Sequence, residues 1–301
     1  MTGVRRLGAR PLRPFLARLR RGPGDPTHRH LGRTWFRAVL TPAGPALLQL
    51  DEGPENLATA WGAGADWALE QVPALLGADD HEPFRPTHPV LAEALRRLPG
   101  LRVGRTGAVW EAVAPAIIEQ RVTGTEAFGA FRRLVRRYGT PAPGPAQEPG
   151  HPASGLLCPP APETWARIPS WEWITAGVEQ ARSRTVVGAA RRASALERTL
   201  GVPGEEADRR LRSVPGIGPW TSAEVRQRAH GDPDAWSDGD YHVPGMITLA
   251  LVGEALDNDA ARELLEPYRG HRYRVQQLVE LTGIRPERRG PRRTLPTHLP
   301  R

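Results

Sequence analysis

The stretch Val214-Pro215-Gly216-Ile217-Gly218-Pro219-Trp220-Thr221 has the residue types of a turn that can meet an anion. A helical pattern ends at Pro215-Gly216, two glycines flank Ile217, and Pro219 sits where a second helix would begin. Proline suits a first helical position, because the N–H it lacks would be unpaired there anyway. Glycine lets a backbone come close to a ligand, and the next helix offers free N–H groups and a partial positive charge. Val214, Gly216, Ile217, Gly218 and Thr221 therefore form a helix-hairpin-helix able to hold a phosphate without reading base sequence. The same turn also serves as a plain connection between two packed helices.

Asp240 follows Gly218 by 22 residues, with Tyr241 beside it and another helical pattern beyond. A carboxylate in such a place can stabilise developing positive charge or take a proton from water. It can equally cap the following helix, or be one acid in a loop that also holds Asp232, Asp234 and Asp238. With His242 these acids suggest a metal site, but the spacing fails the calcium-loop pattern and no glutamate closes it. No metal site built from side chains is expected.

The elements that must position these residues change in character along the chain. Residues 34–40 and 46–50 are short β-type runs separated by the turn-rich Thr41 to Pro45, which predicts a hairpin. Helical patterns follow at 66–76, 89–97, 109–120 and 126–138, then from about 171 to 281, with the hairpin inside 205–229. Residues 140–163 hold eight prolines and little periodicity, so they read as a loop or linker. The expected architecture is α+β, mainly α, in four parts. A basic flexible extension (1–30) leads to a small β-rich N-terminal domain (31–88), an all-helical region (89–284) and a basic tail (285–301).

A length of 301 residues, at roughly 150 per domain, agrees with about two domains. All 41 basic residues are arginine, and the formal net charge of +8 comes from the two ends. Residues 1–30 hold eight arginines against one acid and 285–301 hold six against one, leaving 31–284 slightly acidic. The lack of lysine excludes side-chain Schiff-base chemistry and a phosphate-loop lysine. Cys158 is the single cysteine, which excludes an internal disulfide, a four-cysteine zinc site and a cysteine-held iron–sulfur cluster. No apolar run is long enough to span a membrane, so a cytoplasmic protein is expected.

The hairpin and Asp240, taken with Leu98-Pro99-Gly100, Trp110-Glu111-Ala112-Val113 and Ile117 to Thr123, resemble the helix-hairpin-helix DNA glycosylases. The closest likeness is to the DNA-3-methyladenine glycosylase II, or AlkA, type, over roughly residues 90–285. The resemblance implies that Asp240 is the catalytic carboxylate and that Trp220, Tyr241, Glu224 and Gln120 form a base pocket. It also implies that Arg121, after Gln120, is the wedge filling the gap left in the duplex.

Two positions depart from the pattern. The close relative has an apolar residue where Arg121 stands, and a second aromatic where Glu224 stands. Trp220 takes the position that is a pocket tryptophan in alkylation-repair members and a lysine in strand-cleaving ones, which implies hydrolysis without strand cleavage. The partner implied is double-stranded DNA carrying damaged bases, acted on by a monomer with no cofactor. Family members can hold a monovalent cation on the hairpin carbonyls. Two alternatives stay open: a non-catalytic DNA-binding module, and a glycosylase for oxidised, deaminated or mispaired bases.

Overall fold

A computed structural model of the chain describes residues 2–286. Strands β1 (Thr2–Leu7), β2 (His28–Leu31), β3 (Thr34–Thr41), β4 (Gly44–Asp51) and β5 (Asn56–Trp61) form an antiparallel sheet in the order β1-β5-β4-β3-β2. The β3–β4 hairpin closes more tightly than the turn-rich stretch suggests. Thr41 pairs with Gly44 across Pro42-Ala43, and its Oγ1 donates to the Gly44 carbonyl at 2.8 Å.

Residues 2–30 are not a flexible extension. β1 pairs with β5 along its whole length, and the chain then folds under the sheet through the short helix α1 (Arg13–Leu16). Leu12, Phe15, Leu16 and Leu19 are buried there against Leu48, Leu50 and Val72, the last from α2 (Ala65–Leu75). The Asn56 amide donates to the Arg10 carbonyl at 2.7 Å, and Glu52 accepts the Leu12 N–H at 3.1 Å. Four well-spaced apolar residues suffice to anchor a segment rich in arginine, because most of its arginine heads stay at the surface and the buried one, Arg21, pairs with Glu119 at 3.1 Å.

The proline-rich stretch is also more than a linker. Phe36, Ala38 and Leu47 on the sheet's other face are covered by Ala142, Ala146, Ala153, Leu156 and Cys158. Strands β6 (Thr140–Pro141) and β7 (Leu157–Cys158) pair with each other, and Leu157 N–H donates to the Pro26 carbonyl at 2.8 Å. The proline-rich loop within 89–284 is therefore ordered and forms the second layer of the N-terminal sheet. Proline gives it stiffness without the regular hydrogen-bonding signature that a sequence pattern detects.

The helices are α3 (Pro89–Arg97), α4 (Val109–Ile118), α5 (Gly124–Tyr138), α6 (Pro162–Arg167), α7 (Ser170–Thr175), α8 (Gln180–Ala190), α9 (Ala193–Glu197), α10 (Gly204–Arg212) and α11 (Pro219–Val225). After them come α12 (Val243–Val252), α13 (Asn258–Leu265) and α14 (Arg272–Thr282). Buried along its whole length, α4 forms the axis of one core with Phe131, Trp165, Val186, Ile217 and Val225 around it. Glu197 accepts the first two N–H groups of α4, at 2.9 and 2.7 Å, and so satisfies a helix start that has no side-chain cap of its own. A separate core joins α3, α12, α13 and α14 through Leu91, Ile247, Leu265 and Leu278, with Trp236 from the loop 231–242. That loop crosses from one core to the other and carries Asp240.

Candidate active site and nucleic-acid interface

The hairpin joins α10 to α11, with Val214 and Ile217 buried in the α4 core as its two anchors. Gly216 has φ +89°, and a Cβ there would stand 2.2 Å from Thr185 Oγ1 on α8, so both conformation and space demand glycine. Gly218 differs: its φ is −93° and nothing lies within 4 Å of where a Cβ would be. The backbone there faces open space beside the start of α11, where Pro219 takes the first helical position. Ser222 Oγ donates to Asp208 Oδ1 at 2.7 Å and fixes α11 against α10.

The end of α4 reaches this hairpin directly. Gln120 Nε2 donates to the Gly216 carbonyl at 2.9 Å and to Thr221 Oγ1 at 2.8 Å. Gln120 thus braces the hairpin. Arg121 is exposed and has φ +54°, the one positive φ outside glycine among the described residues. A non-glycine residue in that region stores strain of about 1–3 kcal/mol, and such outliers cluster at ligand clamps. Thr123 and Glu126 then form a capping box that starts α5 and holds the far side of the turn.

Asp240 lies where two devices meet. Gly239, with φ +79°, is the third residue of a tight turn in which the Asp240 N–H donates to the Ser237 carbonyl at 3.1 Å. Asp240 Oδ1 accepts the N–H groups of His242 and Val243 at 2.7 and 3.0 Å, at the start of α12. Its other oxygen, Oδ2, accepts from Trp220 Nε1 at 2.9 Å. The capping role and the catalytic role are therefore compatible: the same carboxylate closes α12 and stands against the hairpin tryptophan, with both half-buried. The sequence separates the two side chains by 20 residues, and the fold puts them in contact.

The remaining pocket candidates are placed otherwise. Tyr241 is 91% exposed, its ring edge-on to that of His242 with centroids 4.8 Å apart, so it lines no enclosed pocket here. Glu224 is buried, with Oε1 accepting from Ser237 Oγ at 2.7 Å and Oε2 paired with Arg228 at 2.5 Å. Burial alone would push its carboxyl up, but the Arg228 guanidinium and the hydrogen bonds from Ser237 and Arg228 outweigh that and hold it below the usual range. It is a committed anion inside the protein and does not present a free carboxylate to a base.

Sequence reading missed the polar set behind the site: Gln227, Ser237 and Gln276 join Glu224 in a buried network. The only signal was two adjacent glutamines, Gln276 and Gln277, in the middle of a helix that is otherwise apolar on one side.

Among the described residues no three His, Cys, Asp or Glu side chains come together as a metal site, and no helix is long and apolar enough to cross a membrane. A cavity of about 220 Å³ lies between the sheet and α4, bordered by Leu40, Trp110, Phe131 and Trp165, and none of the candidate site residues lines it.

No family model matches the chain. Proteins of two Mycobacterium tuberculosis strains, each described as a probable bifunctional transcriptional activator/DNA repair enzyme AlkA, are 30% identical to it over 239 residues. The match takes in 76% of this chain and 39% of those proteins, so the chain spans about two fifths of the length of the curated relatives it matches. Among solved structures, a 3-methyladenine DNA glycosylase from Archaeoglobus fulgidus superimposes with a TM-score of 0.71 at 20% identity, covering 92% of this chain and 97% of that one. An 8-oxoguanine glycosylase/lyase from Clostridium acetobutylicum, in complex with double-stranded DNA, gives 0.68 at 11% identity over 93% and 96%.

Proposed function

The chain has the fold of the helix-hairpin-helix DNA glycosylases and is related in sequence to AlkA, and from that premise we propose that it excises alkylated purines from double-stranded DNA by hydrolysis. The products are a free base, of the 3-methyladenine or 7-methylguanine type, and an abasic site. One observation carries the reading: Trp220 and Asp240 touch at the open end of the hairpin. There an aromatic face and an oriented carboxylate are offered to the same nucleotide.

The target nucleotide has to leave the stack before its sugar can be reached. The hairpin backbone holds the flanking phosphate, and the exposed Arg121 occupies the vacated space with its planar guanidinium. As the glycosidic bond stretches, positive charge develops on the deoxyribose. Asp240 stabilises it and accepts a proton from the attacking water. The Trp220 N–H and the N–H groups of His242 and Val243 keep the carboxylate oriented throughout. An N-methylated purine carries formal positive charge, and the Trp220 ring attracts it by cation–π interaction. With Trp220 at the hairpin position and no lysine in these 301 residues, no side-chain amine is available for an imine with the sugar, so the strand stays intact.

The experiment is excision from a panel of duplexes: DNA methylated on purines, and duplexes holding a single 8-oxoguanine or hypoxanthine. Release of methylated bases, with strand breaks appearing only after alkali, is the expected result. Base release only from the oxidised or deaminated duplexes would reassign the substrate. Binding with no release from any duplex would leave a DNA-binding module.

A further inference from the structure

Asp240 sits on a loop with no regular structure, and something must fix that loop to within a fraction of an ångström if its carboxylate is to meet a sugar carbon. The outer side of the loop is held only at the protein surface. There Asp238 pairs with Arg262 at 2.8 Å, and the Arg262 side chain is half exposed. Such surface ion pairs contribute little in water. Asn258 adds a brace on that side, its Oδ1 accepting the Gly239 N–H at 2.8 Å and its Nδ2 donating to Asp238 Oδ1 at 2.8 Å, in bonds that stay partly open to water.

The inner side is different. Ser237 is the first residue of the turn that ends at Asp240, and it is 1% exposed. A serine hydroxyl has one proton to donate and two lone pairs to accept with. All three are used: Oγ donates to Glu224 Oε1 at 2.7 Å and accepts from Gln227 Nε2 and Gln276 Nε2, both at 3.0 Å. Its backbone N–H donates to Gln276 Oε1 at 2.8 Å, so one glutamine side chain grips both the main chain and the side chain of Ser237. Gln227 Nε2 also donates to the Ala235 carbonyl at 2.7 Å. Gln227 lies in the π-helical turn, residues 226–230, that continues α11.

Partners from α11, from that π-helical turn and from α14 thus converge on one buried hydroxyl. Glu224 can serve as the acceptor because Arg228 neutralises it in place. The carboxylate that seemed aimed at a base is the anchor of a side-chain network instead.

We propose that Ser237 is the positioning residue for Asp240: by tying the turn to α11, its π-helical continuation and α14, it sets where the Asp240 carboxylate stands relative to Trp220 and the start of α12. The inference rests on the glycosylase reading of Asp240 for its kinetic consequence, but not for its structural one. Misplacing a reacting group by about 1 Å can cost about 100-fold in rate. Ser237→Ala removes the hydroxyl and leaves two buried amide donors and one carboxylate oxygen short of a partner.

The test pairs two readouts on the full chain carrying Ser237→Ala, with Gln276→Leu as a second variant that leaves the loop sequence intact. Single-turnover excision of a methylated base falls by about 10- to 100-fold, while affinity for a duplex with an abasic-site analogue stays within about twofold, since the hairpin is untouched. Hydrogen exchange at the Asp240, His242 and Val243 amides speeds up, while that of residues 214–221 is unchanged. A Ser237→Ala or Gln276→Leu protein with unaltered exchange at 240–243 overturns the proposal, whether or not the chain excises bases. So does an equal fall in rate and DNA affinity. Absence of excision in the wild type would overturn the glycosylase reading alone, and exchange would then decide the role of Ser237.

Discussion

The hairpin at 214–221 and the loop at 231–242 meet at one hydrogen bond, and they are held in place by opposite means. Backbone rules set most of the hairpin: a glycine at φ +89° with no room for a Cβ, a proline at the first helical position and two aliphatic anchors, with Gln120 as its side-chain brace. Long-range side chains set the loop: Glu224 reaches Ser237 across 13 residues and Gln276 across 39. A turn written in glycine and proline has a short, local signature. A turn held by a serine hydroxyl has none, because its partners are ordinary polar residues until the fold brings them together.

Damage to the hairpin backbone and its braces should show as lost binding, and damage to the loop, or to the Trp220 contact with it, as lost rate. The largest effect on binding is expected from Gly216→Ala. It forces a side chain into a positive φ and against Thr185, costing about 2 kcal/mol or more of stability. Fluorescence anisotropy with an abasic-analogue duplex should show affinity falling by about 100-fold, a change of about 2.7 kcal/mol. Trp220→Phe comes next. It keeps a ring but removes the N–H to Asp240, a hydrogen bond to a charged group worth about 1.5–3 kcal/mol, so single-turnover excision should slow by about 10- to 100-fold at nearly constant affinity.

Gln120→Ala removes the bonds to Gly216 and Thr221, at about 1 kcal/mol each, and should weaken DNA binding by about five- to tenfold with the bound rate intact. The smallest effect has opposite signs in two assays. Arg121→Gly relieves the φ of +54° and should raise stability by about 1 kcal/mol in urea unfolding, while excision falls a few-fold for lack of a wedge. A Gly216→Ala protein that binds normally but does not react would break the division between the two regions.

What was legible in the sequence follows the same line. The hairpin and the helices on either side of it could be read because glycine, proline and helical period are local signals, whereas Asp240 was singled out by its resemblance to the glycosylase pattern. The order in residues 2–30 could not, since the four apolar residues that bury α1 are scattered among arginines and pack against sheet and helix positions distant in the chain. The cover formed by 140–163 was hidden because proline-rich chain packs without periodicity.

Glu224 was misread for a physical reason: a carboxylate one turn after Trp220 on a helix points toward the same region, but whether it faces a ligand or an arginine depends on Arg228, one further turn along. Tyr241 adjoins Asp240 in sequence and still points to solvent, since neighbours in a turn diverge. The expected basic tail, 285–301, falls almost wholly outside the described residues.

On the proposed function, Asp240 performs the chemistry and the hairpin performs the holding. Asp240→Asn keeps the side chain's shape and size while removing its charge. Single-turnover release of methylated bases by this variant should fall by at least about 1000-fold, with affinity for the abasic-analogue duplex unchanged within about threefold. Excision by Asp240→Asn at the wild-type rate would contradict the account.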